Sequence, residues 1–402
     1  MKKSVNIIGG GPAALMLACM LDQNKFDVTI YEKNNAPARK FLVAGDGGFN
    51  LTHSEEIENL ISRYTPESFL EKSVRAFTNN DLREWLKKLG IETFVGSSKR
   101  VFPIKGIKPI DVLNAFLTGL KRKNVAIKTL HEWKGWNKSA ELVFDVKGEE
   151  KKISSDITVF SLGGASWSKT GSGGAWAKYF EEKKIKITPF QASNCAYEIK
   201  WGKSFLSQWE GKSLKNISLS CSSSEKKGEL VITKFGIEGG AVYALGPQIR
   251  NQLAENGSGQ IFVDLKPTLS IADIKNKLSQ KSKNNLTQQI KEELKLDGLQ
   301  IALLKSVSTK EEFTDIKTLS EKIKKLPLTI LSSAVIDEAI STVGGISLDE
   351  VDENFQLKKL PNNYVIGEML DWDAPTGGYL LQACFSMGAY LGQYLTVKAQ
   401  KR

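Results

Sequence analysis

The sequence predicts an α/β protein built on a parallel, Rossmann-like sheet, with a second domain inserted into it. Three observations carry that prediction. A strand, a glycine turn, a helix and a second strand fill the first 32 residues; strands that run into glycines recur at 156–164 and 364–368; and short strands followed by a Lys-, Gln- and Leu-rich helical stretch lie between those two. At 402 residues the chain is long enough for two or three domains. With 41% hydrophobic and 25% charged residues it has the composition of a globular protein, not of a disordered one.

In the opening unit, Ser4-Val5-Asn6-Ile7-Ile8 has the apolar, β-branched content of a buried strand and enters Gly9-Gly10-Gly11-Pro12-Ala13-Ala14. This is G-x-G-x-x-A. Gly9 permits the tight turn, Gly11 lets the backbone approach a pyrophosphate, and Ala14 keeps helix and strand close. Leu15, Leu17, Ala18, Met20 and Leu21 continue as a buried helix whose first N–H groups, after Pro12 and Ala13, face the phosphates. A second strand over 28–31 ends at Glu32, at the spacing of a carboxylate that accepts ribose hydroxyls, with Lys33 beside it. A glutamate here suits FAD or NAD better than a 2′-phosphate, and the unit alone does not separate those two.

Lys2 and Lys3 before an apolar stretch ending near Cys19 imitate a signal peptide, but Gly9 to Gly11 interrupt the apolar segment. No apolar run reaches the roughly 18 residues of a membrane helix, so no stable membrane association is expected. Cys19, Cys195, Cys221 and Cys384 lie far apart and form no C-x-x-C, which argues against a disulfide framework or thiolate metal site and fits a reducing cytoplasm. His53 and His131 are the only histidines, so no three-imidazole metal site can form and none is expected. The 56 Lys and Arg against 45 Asp and Glu give +11, which suits anionic partners without choosing among them.

The strand over 156–162 enters Gly163-Gly164, as where a parallel sheet again passes the dinucleotide. A third unit, Tyr364-Val365-Ile366-Gly367-Glu368, is followed by Asp371, Asp373 and Thr376-Gly377-Gly378-Tyr379. A helix then begins, with Leu380, Leu381, Cys384, Met387 and Gly388 on its apolar and small face. Its N–H groups near Gly378 and Tyr379 would stabilise the negative charge that a reduced flavin develops.

Taken together, Gly9 to Ala14, Arg39-Lys40-Phe41-Leu42 with Asn50-Leu51-Thr52, Arg100-Val101-Phe102-Pro103, Lys169-Thr170-Gly171-Ser172, and Gly367-Glu368-Met369-Leu370-Asp371 with Thr376 to Tyr379 resemble the HI0933-like, or YhiN-like, family of FAD-dependent oxidoreductases. The resemblance implies a FAD-binding domain of the glutathione-reductase type, interrupted by an insert with a β-barrel part and a helical part. It also implies cofactor contacts from Arg39, Lys40, Asn50, Leu51, Thr52, Gly163, Gly164, Gly367, Glu368, Asp371, Thr376, Gly377, Gly378 and Tyr379. The chain departs from the family at Gly45-Asp46-Gly47-Gly48-Phe49, at Gly173-Gly174-Ala175-Trp176 and at Leu380, so it looks like a divergent branch.

Residues 1–190 and 343–402 are expected to form the FAD domain, and 191–342 the insert. Within the insert the β part is expected over about 191–268 and 327–342. The helical part covers 269–326, where Leu278, Leu286, Ile290 and Leu294 recur at near-helical spacing. The expected chemistry is hydride transfer through flavin N5 to an unsaturated substrate, either a small-molecule enone or uridine in ribosomal RNA, as the resemblance implies. NAD(P)H is expected as a transient electron donor; no second complete glycine unit exists, so either its site is a transient one or the donor is a different molecule. His53 is the histidine placed to supply a proton, although a structural role serves it as well. The alternative is a flavin- or nucleotide-binding module that has kept the fold and lost the chemistry.

Overall fold

The computed structural model describes residues 1–43, 49–280 and 284–400; the departure at Gly45 to Gly48 lies outside the described residues. The chain forms two units, Met1–Gln191 with Ile340–Arg402, and Ala192–Ala339.

In the first unit the apolar runs become strands β1 (Lys3–Ile8) and β2 (Phe26–Tyr31), with helix α1 (Pro12–Met20) between them. Three further strands, β3 (Thr52–His53), β4 (Thr93–Val95) and β5 (Arg100–Pro103), pair antiparallel in the order β3-β5-β4. Then come β6 (Ala126–Lys128), a meander of β7 (Glu132–Trp136), β8 (Leu142–Val146) and β9 (Glu149–Ile153), and β10 (Ile157–Phe160). The central sheet is wholly parallel and runs from the strand Asn363–Val365 through β10, β1 and β2 to β6. Ile8 lies opposite Tyr31 on one side and Phe160 on the other, so three strands end in line. The loops after them therefore leave from one edge, the carboxyl edge where open α/β sheets bind ligands.

Ala13 to Cys19 are all buried, as expected of a helix that is apolar all round. Its cover is the long helix Tyr379–Lys398, and the two approach closely because a Cβ on Gly388 would lie 2.4 Å from the Ala13 carbonyl oxygen. Phe160 packs in an aromatic cluster with Trp133, Trp136 and Phe180. Truncating the fully buried Phe180 to Ala would cost roughly 3–5 kcal/mol.

The second unit holds a six-stranded antiparallel sheet with Tyr197–Glu198 at one edge and Leu326–Ile330 at the other. Glu198 bonds through its backbone to Leu331 and Ser332, just beyond the opposite edge strand, so the two edges are tied there. The described residues of 271–324 fold as five short helices. Each starts at a side chain that accepts the third-residue amide: Ser270, Asn285, Asp297, Thr309 and Asp315. Such caps contribute about 1 kcal/mol apiece and explain why one helical run becomes five. Leu278, Ile290 and Leu294 point into the core of this unit.

Candidate functional site

At the carboxyl edge of the parallel sheet, a cavity opens above the glycine turn. Of the residues the sequence singled out, Gly9, Gly11, Pro12, Glu32, Lys33, Arg39, Lys40, Gly163 and Glu368 line it. Gly9 has φ +97°, and a Cβ there would lie 2.3 Å from the Ser161 carbonyl oxygen, so the turn admits only glycine. A Cβ on Gly11 would meet nothing within 4 Å; the bare backbone borders open space that a ligand can fill. Gly11 is also the N-cap of α1 and provides no side-chain cap, and the first turn holds no acid. Its N–H groups are thus left to an outside acceptor.

Glu32 is buried at the end of β2. One carboxylate oxygen accepts the Gly10 amide at 2.9 Å, and the other accepts the Asn34 backbone amide at 2.8 Å and its side-chain amide at 2.9 Å. This fixes a carboxylate at the rim, with lone pairs to spare for hydroxyl donors. Lys40 donates to Ser166 at 2.8 Å and pairs with Glu368 at 3.6 Å. Among the described residues, five basic side chains against three acidic ones line the cavity, a balance that favours an anion such as a diphosphate. Bare Gly11, uncapped α1 and anchored Glu32 fit the pyrophosphate and ribose of a dinucleotide.

The other nominated residues lie elsewhere in the same unit. Ala13 and Ala14 are buried in α1, and Gly367 packs on Ala13. Gly164 faces Thr342, and Asp371 accepts the Gly344 amide at 3.0 Å. Leu51 is buried in the β3 segment and donates its amide to Val101, while Asn50 and Thr376 are half-buried. Thr52, Gly377, Gly378 and Tyr379 gather where the long helix begins. Gly378 has φ +100°, and a Cβ on it would strike the Thr52 backbone at 2.5 Å. Gln382, one turn on, accepts the Thr52 hydroxyl at 2.7 Å.

An ionic network adjoins this helix start. Tyr379 donates its hydroxyl to Glu55 at 2.9 Å, and Arg63 clasps both Glu55 oxygens at 2.5 and 3.1 Å. Burial pushes the Glu55 carboxyl upward, but the hydrogen bonds from Arg63 and Tyr379 outweigh it and hold the group below its usual range. Tyr379 is raised well above the usual tyrosine range, by burial first and then by Glu55. His53 stacks on Tyr379 with ring centroids 5.0 Å apart. Its Nδ1 accepts the Glu55 amide at 3.3 Å, which leaves Nε2 to donate to the Ser98 carbonyl at 3.2 Å. Burial lowers its pKa despite the opposing pull of Glu55, so the ring is neutral near pH 7 with both nitrogens engaged.

The sequence alone assigns no cavity role to His131, just before β7, to Trp133 within it, or to Asn34, which braces Glu32. It assigns no role to Glu55 or Arg63 either. Arg100 belongs to the Arg100-Val101-Phe102-Pro103 motif, which by itself assigns it no role. The departure at Gly173 to Trp176 falls on the cavity wall.

Fold and cradle define a protein of the Rossmann-like dinucleotide-binding class. Residues 3–394 match the family described as HI0933-like protein Rossmann domain, and the chain belongs to that family of FAD-dependent oxidoreductases. Among its relatives is a 3-dehydro-bile acid delta(4,6)-reductase of Clostridium scindens, 22% identical over 97% of this chain and 98% of that one. A ribosomal RNA dihydrouridine synthase of Haemophilus influenzae is 23% identical over 94% and 95%. In fold, the chain is similar to the 3-ketosteroid-delta4-(5alpha)-dehydrogenase of Rhodococcus jostii RHA1, with TM-score 0.50, 11% identity, and 100% and 97% of the two chains covered.

Proposed function

We propose that this protein binds FAD and reduces a carbon–carbon double bond conjugated to a carbonyl, with NAD(P)H as a transient donor. The observation that carries the reading is the cradle itself, in which Gly11, the open first turn of α1 and the anchored Glu32 converge on one cavity. When bound, FAD supplies a two-electron carrier that takes a hydride from one partner and gives it to another. The α1 N–H groups would hold its diphosphate, Glu32 its ribose, and Lys40 with Glu368 the neighbouring polar stretch. Thr52, Gly377, Gly378 and Tyr379 would bound the redox-active end, where the first N–H groups of the long helix favour negative charge.

Two relatives support the substrate class from different sides, one named for a bile acid and one for ribosomal RNA. An enone and the uracil ring share a double bond conjugated to a carbonyl. His53, with both nitrogens bonded, serves here as a support for Tyr379. The four cysteines are free and buried, which suits a reducing cytoplasm.

The test is to titrate the purified chain with FAD and then mix the loaded protein anaerobically with NADH or NADPH. Bleaching of the flavin band, followed by its return on adding a steroid enone or a uridine-containing rRNA fragment, is expected, and the acceptor that restores colour identifies the substrate. FAD uptake without reduction by any donor would leave only a binding module, and no uptake would end the proposal.

A further inference from the structure

One face of the sheet β3-β5-β4 carries aromatic and basic side chains, buried at its His53 end and open to solvent at its Phe94 end. Along β5, Val101 and Pro103 are buried, so Arg100 and Phe102 project to the opposite side. The register places His53 opposite Arg100 and Phe94 opposite Phe102, and directly opposed residues share a face. The face therefore reads His53, Arg100, Phe102, Phe94. Aromatic pairs flank the arginine, with His53 stacked on Tyr379 at 5.0 Å and Phe94 on Phe102 at 5.6 Å. Phe94 is 47% exposed, so this flat apolar wall is open to solvent at that end.

Two guanidinium groups border the start of the long helix, and they differ in one respect. Arg63 is neutralised by Glu55, whereas the guanidinium of half-buried Arg100 makes no hydrogen bond or ion pair among the described residues. A Cβ built on Gly377 would lie 3.4 Å from the Arg100 Nε, so the charge stands over the bare glycine that precedes the helix. A half-buried cation without a partner loses hydration and gains nothing in return until an acceptor arrives.

We propose that Arg100 grips the carbonyl oxygen of a planar, conjugated carbonyl substrate whose ring lies along Phe102 and Phe94. The inference rests on the reductase reading above. Hydride from the reduced cofactor, supplied in turn by the nicotinamide donor, forms a C–H bond at the β-carbon. The π pair of the double bond moves toward the carbonyl, whose oxygen gains the negative charge as an enolate. Arg100 donates to that oxygen, and a proton from water then closes the valence at the α-carbon. Such a donor is worth more at the charged stage than at the neutral ground state, so it accelerates the step as well as binding the substrate. The same demand arises from a small enone or from the uracil ring.

The test uses 4-nitrophenol, a planar conjugated oxygen acid whose ionisation is read from its colour without turnover. Bound to the FAD-loaded protein, it should ionise at least one pH unit below the free compound, about a tenfold preference for the anion. Arg100→Gln should abolish that shift, Arg100→Lys should keep part of it, and Arg122→Gln, at an exposed helix end, should leave it intact. No shift in the natural protein, or a shift that survives Arg100→Gln, overturns the proposal. FAD affinity should stay within twofold in Arg100→Gln; a tenfold loss would assign the residue to a cofactor phosphate instead. On whichever acceptor the natural protein reduces, Arg100→Gln should slow turnover about 100-fold at full FAD content. Undiminished turnover removes this inference and leaves the reductase reading standing, whereas a natural protein that takes up no FAD removes both.

Discussion

The cradle at Glu32 and the cluster at Tyr379 belong to one unit and are built by opposite means. Backbone forms most of the cradle: a glycine turn, an uncapped helix start and a single carboxylate pinned by amides. The cluster depends on side-chain charge, with Glu55, Arg63 and Tyr379 balanced against one another across segments far apart in the chain. The first should therefore be sensitive to shape and nearly indifferent to pH, and the second sensitive to pH and more forgiving of shape.

The largest effect should come from Gly9→Ala. The added Cβ would collide with the Ser161 carbonyl at a backbone angle that side chains resist, costing roughly 2–5 kcal/mol as read from urea unfolding and eliminating FAD uptake. A Gly9→Ala chain of normal stability that binds FAD would break the contrast at its stronger pole.

Next, Glu32→Gln should weaken FAD binding by about 10- to 100-fold in a fluorescence titration, the worth of a charge-assisted hydrogen bond. An unchanged affinity would take the carboxylate out of the cradle.

Glu55→Gln probes the other pole and should cost about 1–3 kcal/mol near pH 7, since Arg63 loses its counter-charge in a half-buried setting. The pH course carries the sign. A carboxyl held below its unfolded value stabilises the fold above about pH 4.3 and ceases to do so as the pH falls through the folded value. The neutral, buried His53 adds an earlier loss, which begins as the pH drops below about 6.5. Urea midpoints against pH should thus fall less steeply below about pH 4.3 in Glu55→Gln than in the natural protein, where Glu55 shares that decline with other carboxyls held low, such as Glu350; matching curves would remove Glu55 from the network.

The smallest change is expected for Tyr379→Phe, which keeps the ring on His53 and deletes one hydroxyl. A loss of about 1 kcal/mol with unchanged FAD affinity fits a network member. A large drop in FAD affinity would move Tyr379 into the cradle's category.

The same division decides what could be read in the sequence. Gly9, Gly11 and Glu32 sit within one local unit, where spacing alone encodes the geometry. Glu55 meets Tyr379 across 324 positions, and no period or turn signal carries such information. The meander β7 to β9 has no distinct signature either, because Trp133 and Trp136 look like ordinary core residues in the sequence, and only the fold brings Phe160 and Phe180 against them. The caps Ser270 and Thr309, each followed three residues on by an acid that completes the box, were legible in principle. They were masked by the continuous Lys- and Leu-rich composition around them.

The close crossing of α1 with the helix Tyr379–Lys398 also bears on how the protein is made. The first strand and glycine turn leave the ribosome long before their covering helix has been translated, while Ala192–Ala339 has its own core and can fold in the meantime. Until residue 379 and its successors arrive, one flank of α1 has no partner. The nucleotide fold is thus begun long before it can be closed, and a nascent chain stalled before Gly378 should be a target for chaperones even though every residue of the Glu32 cradle is already present.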